Sequence, residues 1–516
     1  MDTISTPPSR FEWFTERLNP VLIKEVRQAL RGASFRNVYL VTLILIGVAG
    51  STVLLNLGVS NDAGGGRIFG QTVVGCLCVG LIGLVPLVGF QSVSGEWEED
   101  TYDLLILSDL SPFQVVFGKL LSCAVQILLM LAAFAPVVAV GLVLQGLDPV
   151  AVLFLSLYLP VVSLGLCCLA MAVAAHCRLR MIRVMAMGLV ALGLALMTMG
   201  MIGFEGEILQ NPDEIQDWEF MGMLGMGSIA GITLSALAFC AAMVRFTHEE
   251  DNASTPARLV LAAGALGAVV LGSAIYGRGG FGADEFAGIL VGFFMFAYPA
   301  FLAFATEPRG LGRRTALRLE GKRWPLLRVP FLPGADRGVH YLMTLGLVMG
   351  LLLFVFAVVI APGTTGLGSA AGRNHPFSPL MTLITCVAYL LFYVGLPALV
   401  LRPFCKTHNG RWRVRLLSIT FLLAGIMLPM AAGMFVGERA LGQGRHALNP
   451  FWAISEVIDE GDRIPGPVLP MILVGAVVGL LYLIRLPKAY GEVRAAVRGE
   501  VREQPARASA AEAAGA

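Results

Sequence analysis

Residues 120–144 read LLSCAVQILLMLAAFAPVVAVGLVL, a run with no charged side chain. As an α-helix it would extend about 37 Å at 1.5 Å per residue, more than the roughly 30 Å of a bilayer's hydrocarbon core. In lipid a helix satisfies its own backbone N–H and C=O groups, which a lone strand cannot do. The run therefore predicts a membrane-spanning helix. Eleven more uncharged runs, 17 to 25 residues long, fall in the range that can span a bilayer: 38–57, 71–90, 151–175, 184–204, 222–244, 259–276, 286–305, 341–361, 380–401, 416–436 and 468–484. The expected fold is all-α, a polytopic membrane protein of about twelve transmembrane helices.

The composition agrees. The 516 residues are 56% hydrophobic and 14% charged, with a mean hydropathy of +0.76. A soluble domain carries about 25% charged residues, so most of this surface faces something other than water. Sixty glycines suit helices that approach closely in lipid. A net charge of +2 gives a nucleic-acid partner no electrostatic support. The nine cysteines all fall in apolar runs or in loops assigned below to the inside, so no disulfide is expected. The first 36 residues are polar and amphipathic, unlike a cleavable signal peptide.

Positive charge orients the chain. With the N-terminus inside, 31 of the 37 Lys and Arg lie in inside segments, which places both termini in the cytoplasm. The external loop 205–219 then holds six acidic residues and no basic one, and Trp218 and Trp412 sit where interfacial anchors belong. No Asp, Glu, Lys or Arg lies inside the runs as bounded above. Ion-coupled carriers usually hold an ionisable group near the midplane, so its absence argues against a secondary carrier. Gln126 is the notable polar group, and an interhelical hydrogen bond is its simplest role.

Two polar segments remain to be explained. In 11–36, Asn19-Pro20 opens a helix, with Asn as cap and Pro at the first helical position, and Gly32 can close it. Leu22, Val26, Ala29 and Leu30 form its apolar face, and Lys24, Arg27 and Arg31 lie elsewhere, toward anionic headgroups. The second segment, 92–119, reads SVSGEWEEDTYDLLILSDLSPFQVVFGK. It sets Glu96, Glu98, Glu99, Asp100, Asp103 and Asp109 on a side that is otherwise basic. Residues 101–107 form a short helical run with Leu104 and Leu105, and Ser111-Pro112 caps the next spanning helix. Such a run can dock on a cytosolic partner, or be a solvated acidic loop; the residues alone favour neither.

NPVLIKEVRQALRG before the first span and GEWEEDTYDLLILSDLSPFQVVFGK after the second resemble the ABC-2 type permeases, the membrane subunits of ABC exporters. Those show N-P-[VI]-x-x-K-E-x-R, then E-R-E-x-G-T-x-[DE]-L-L-L-x-x-P-[LV]-[ST] ending in G-K. Glu96, Glu98, Thr101, Asp103, Leu104, Leu105, Leu110, Ser111, Gly118 and Lys119 match in order, while Trp97 stands for the Arg and Asp100 for the Gly. The motifs cover residues 19–119. The resemblance implies an interfacial N-terminal helix and a cytoplasmic coupling helix seated in a separate ATPase, with Glu96, Glu98, Thr101, Asp103, Leu104 and Leu105 at that contact. No G-x-x-x-x-G-K-[ST] is present, so ATP would sit on the partner and this chain would hold no cofactor or metal.

The expected organisation is an N-terminal segment 1–36, a six-helix domain 37–246 containing 92–119, a second six-helix region 247–486, and a cytoplasmic tail 487–516 expected to be disordered. The loop 307–340 occupies the coupling position of the second half, but it is basic and lacks the motif. In 448–463, Asn449-Pro450 caps a helix whose apolar stripe is Phe451, Ile454 and Ile458, with Gly461 able to end it. Whether the second six spans are a fused permease half or an insertion stays open, as does a need for a second copy or a second permease. His248-Glu249-Glu250 is not a zinc motif, because Asn252 stands where the second His belongs. The expected role is the permease subunit of an ATP-driven exporter in the inner membrane, in contact with lipid and an ABC ATPase. A non-transporting membrane scaffold is the alternative and a secondary carrier the third.

Overall fold

The computed structural model describes residues 26–498 apart from 29–30, 61–64, 100, 102–109, 144–146, 248–250, 277–281, 309–310, 322–324, 361–376, 402, 404–407, 437–442 and 461–463. The described residues are helical with no strand, and twelve helices are long and apolar enough to cross a membrane. They are α1 (Phe35–Leu55), α2 (Gly66–Glu98), α3 (Pro112–Val143), α4 (Pro149–His176), α5 (Arg180–Gln210) and α6 (Trp218–Phe246). The rest are α7 (Thr255–Tyr276), α8 (Asp284–Ala305), α9 (Ala335–Val359), α10 (Ser378–Val400), α11 (Gly410–Pro429) and α12 (Leu469–Val497). The protein is an all-α polytopic membrane protein.

The chain forms two compact units, one of 1–221 with 238–248 and the other of 222–237 with 249–516. The expected boundary near 247 is displaced: it falls within α6, whose 222–237 stretch packs with the second unit.

In the first unit α2 is the central helix, packed by α1, α3, α4 and α5. Its apolar stretch is 72% buried, against 17% for α1 and for α5, which face lipid. Cys78, Leu81, Ile82 and Val85 of α2 meet Ile127, Met130, Phe134, Leu155 and Leu159. α2 is not uniformly α-helical: Val79–Leu84 form a π turn. The cause is Pro86, which cannot donate to the preceding turn and whose ring crowds it, so the helix widens upstream. The Ser163 hydroxyl of α4 donates to Leu81 O at 2.6 Å, satisfying a carbonyl of that turn.

The second unit solves the same problem in the same way. Its most buried spans are α8 and α10, which pack on each other and on α9. A π turn at Leu391–Gly395 again precedes a proline, Pro397, and Tyr482 OH donates to Gly395 O at 3.0 Å. Pro450–Glu460 is a helix packed on α10, capped as expected by Asn449 Oδ1, which accepts from Phe451 N at 3.0 Å. Its buried face is Ala453, Ile454 and Val457; Phe451, expected in the apolar stripe, is exposed.

Three other expectations change. The tail is helical as far as Val497: past a turn at Ile484 and Arg485, α12 continues as Leu486–Val497, which buries Ala489, Val493 and Ala496 and packs on the helix Arg313–Leu319. Residues 499–516 lie outside the described residues. α5 runs to Gln210 rather than ending at Phe204, because the acidic residues that follow continue its helix. Glu205 is therefore inside a spanning helix and buried, so the spans are not free of ionisable groups.

At the N-terminus, Val26–Gln28 are helical and the chain bends at Gly32, where Gly32 N donates to Gln28 O at 2.8 Å. Arg27 and Arg31 are exposed; Lys24 lies outside the described residues. The eight described cysteines are buried and none is in a disulfide. Trp218 and Trp412 are exposed at helix ends, as anchors require.

Candidate functional site

The acidic segment begins where α2 outruns its apolar stretch, so that Glu96, Trp97 and Glu98 stand on the last helical turn. It ends at Ser111, which caps α3 reciprocally with Gln114: Gln114 N donates to Ser111 Oγ at 3.2 Å, and Ser111 N to Gln114 Oε1 at 2.9 Å. Lys119, one residue before the apolar run of α3, reaches back across the segment. Its Nζ lies 2.9 Å from Glu96 Oε1 and 2.8 Å from Ser92 O. The side chains of Lys119 and Glu96 are 1% and 8% exposed. The Thr101 hydroxyl donates to the other oxygen, Glu96 Oε2, and Thr101 N to Glu96 O at 3.1 Å.

Glu96, expected at the partner contact, is thus turned inward and holds the two ends of the segment together. Thr101 is bound into the same lock. Glu98 remains presented to solvent, 62% exposed, with Arg183 Nε at 3.8 Å. Asp103, Leu104 and Leu105 lie outside the described residues, as does the short helical run expected at 101–107 apart from Thr101. Trp97, one of the two departures from the family pattern, has the Arg178 guanidinium 5.5 Å from its ring centroid. Arg183 of α5 is itself buried, and its Nη1 donates to Ser94 O at 2.9 Å. Beside it, burial pushes the Cys177 thiol up from its ordinary value, opposed by Arg183 and Arg245.

A comparable frame closes the second unit. Glu307, just after α8, takes Arg258 of α7 at 2.8 Å and accepts from Gly334 N at 2.7 Å. Arg258 is fully buried; Nη1 donates to Pro330 O at 2.7 Å and Leu332 O at 2.6 Å, and Tyr341 OH donates to Arg258 O at 2.6 Å. Arg337 of α9 pairs with Glu492 at 2.8 Å. Arg415 of α11 donates from Nε to Thr306 Oγ1 at 2.8 Å. So in each unit the arginine just ahead of the fifth apolar run, Arg183 or Arg415, fastens the end of the second spanning helix. In each, an acid just beyond the fastened stretch, Glu96 or Glu307, is locked by a buried base.

Lys119, Arg183, Arg258 and Arg415 were not among the expected site residues. One sequence signal could have found them: each immediately precedes an apolar run, at 120, 184, 259 and 416. A basic residue there can reach the carbonyl ends of neighbouring helices, where partial negative charge collects.

No group of three His, Cys, Asp or Glu able to hold a metal occurs among the described residues. Among the described residues, the arrangement holds helix ends in register and leaves Glu98 and Glu99 exposed beside them. Compared with protein-family models, with curated proteins and with solved structures, the chain matches none.

Proposed function

We propose that this chain is the permease subunit of an ATP-driven exporter of the ABC-2 type, with both termini in the cytoplasm and a separate ATPase chain as its partner. The observation that carries the reading is the lock at Glu96, Lys119 and Thr101. It ties the start of the acidic segment to the base of α3, while Glu98 is left exposed. A partner gripping the segment would move α2 and α3 together, since the buried ion pair leaves little slack between them. Helix ends joined in this way suit a subunit that receives force from outside the bilayer. The acidic face suits a partner with a basic groove, and the motif match within 92–119 supplies its class.

The test is charge reversal. Glu98→Lys or Asp103→Lys should leave the chain inserted but release a co-purifying ATPase, or leave it bound without stimulation by substrate. Like-charge contact at a complementary interface costs several kcal/mol. Glu207→Lys with Asp213→Lys, equally acidic and on the opposite side by the charge-derived orientation, should do neither. If both sets behave alike, the segment is only a solvated loop and the reading fails. Buried Glu205 is the one observation favouring a second reading, an ion-coupled carrier.

A further inference from the structure

Glu205 lies in α5, one helical turn before the end at Gln210, and is 1% exposed. Its neighbours along α5, Met201, Ile208 and Leu209, belong to a buried apolar cluster with Val74, Leu77 and Cys78 of α2. The Cys78 thiol of α2 donates to Glu205 Oε2 at 2.9 Å. The other oxygen, Oε1, lies against α2 at Gly75, 3.5 Å from where a side chain there would begin, an ordinary packing distance. Among the described residues no Lys, Arg or His pairs with this carboxyl. The titratable groups facing it are the thiols of Cys78 and Cys76 on α2. Tyr158 of α4 packs on the adjacent Phe204, and on α5 itself Glu207 is exposed and accepts from Asn211. A carboxylate charge in such surroundings is strongly disfavoured, since one thiol is a poor replacement for water.

Two further features make this a working site rather than a tolerated defect. Cys78 is the residue immediately before the π turn Val79–Leu84, so the carboxyl is bonded to the point where α2 leaves α-helical geometry. Such turns are frequent at functional sites. The polar end of α5 is also close: Gln71, half-buried on α2, donates to Gly206 O at 3.4 Å, and Glu207 beyond it is exposed, where a charge belongs at the aqueous edge of a span rather than in lipid.

We propose that Glu205 is a proton-binding site: its carboxyl holds a hydrogen at neutral pH and exchanges it with the aqueous phase at the end of α5, the outer side by the Lys and Arg distribution. The exchange is a plain protonation, carboxylate plus proton giving carboxylic acid, with no other reactant. It does not depend on the ATPase-partner reading, and the site would serve an exporter or a carrier alike.

The test is infrared difference spectroscopy on the full chain in lipid nanodiscs at pH 7, wild type against Glu205→Gln. The variant should keep its helical content and lose one carbonyl band of an un-ionised carboxylic acid, a band that shifts in wild type on transfer to D2O. Loss of ionised carboxylate bands instead overturns the proposal. Carboxylate bands that respond to added sodium overturn it too, making the site a cation site. If Glu205→Gln does not assemble, Cys78→Ala serves: removing the thiol donor should move the un-ionised band, and a band that does not move counts against the proposal.

Discussion

Replacing Lys119 by Met should be among the most damaging single changes in the first unit. The side chain is 1% exposed and its Nζ serves two acceptors, Glu96 Oε1 at 2.9 Å and Ser92 O at 2.8 Å. Met fills similar volume, so packing is roughly conserved and the loss is electrostatic. A Glu96 side chain 8% exposed would remain as a buried charge beside Thr101. Breaking a buried pair from one side costs about 3–5 kcal/mol, whereas replacing both partners is often neutral or better. Glu96→Gln with Lys119→Met should therefore lie within about 2 kcal/mol of wild type, because Gln still accepts from Thr101 and carries no charge. Reversible unfolding in mixed micelles, read by helical circular dichroism, gives the four corners of the cycle. The expected coupling is at least ~2 kcal/mol, well above the additivity found for independent sites. If Lys119→Met lies within about 1 kcal/mol of wild type, or the double change equals the sum of the singles, the lock does not exist as described.

Arg415→Gln should destabilise the second unit by about 1–3 kcal/mol by removing the donor to Thr306 Oγ1, measured by the same unfolding assay. Gly475→Ala should cost about 1–3 kcal/mol, because a Cβ there would stand 2.5 Å from Ala388 O, while Gly193→Ala, which meets nothing, should be neutral or slightly stabilising. Cys177 should escape an impermeant thiol reagent in intact cells, since its loop is assigned to the inside. In opened vesicles it should react slowly at neutral pH and faster as pH rises, because burial pushes its thiol up and the thiolate is the reacting form. Lys24→Glu, Arg27→Glu and Arg31→Glu together should weaken attachment to anionic vesicles by roughly 1 kcal/mol per lost basic residue, read as lower abundance of assembled protein.

The sequence by itself determined the number of spanning helices, their order and where several begin. That follows because lipid demands long uninterrupted apolar runs, and because Ser111 and Asn449 act on backbone groups only a few residues away. Only the tertiary structure decided what the polar residues do. Glu96 and Glu98 are two positions apart in one acidic cluster, yet α2 turns one onto Lys119 and leaves the other in solvent. Glu205 reads as the first residue of an acidic loop until α5 continues past it and buries it against Cys78. Arg183 and Arg415 share in local sequence only a place just before an apolar run, and which helix ends they fasten is set by the packing. Apolar content is a property of a segment and can be summed along the chain. The fate of a charge depends on which distant groups face it, and only the packing of helices sets that.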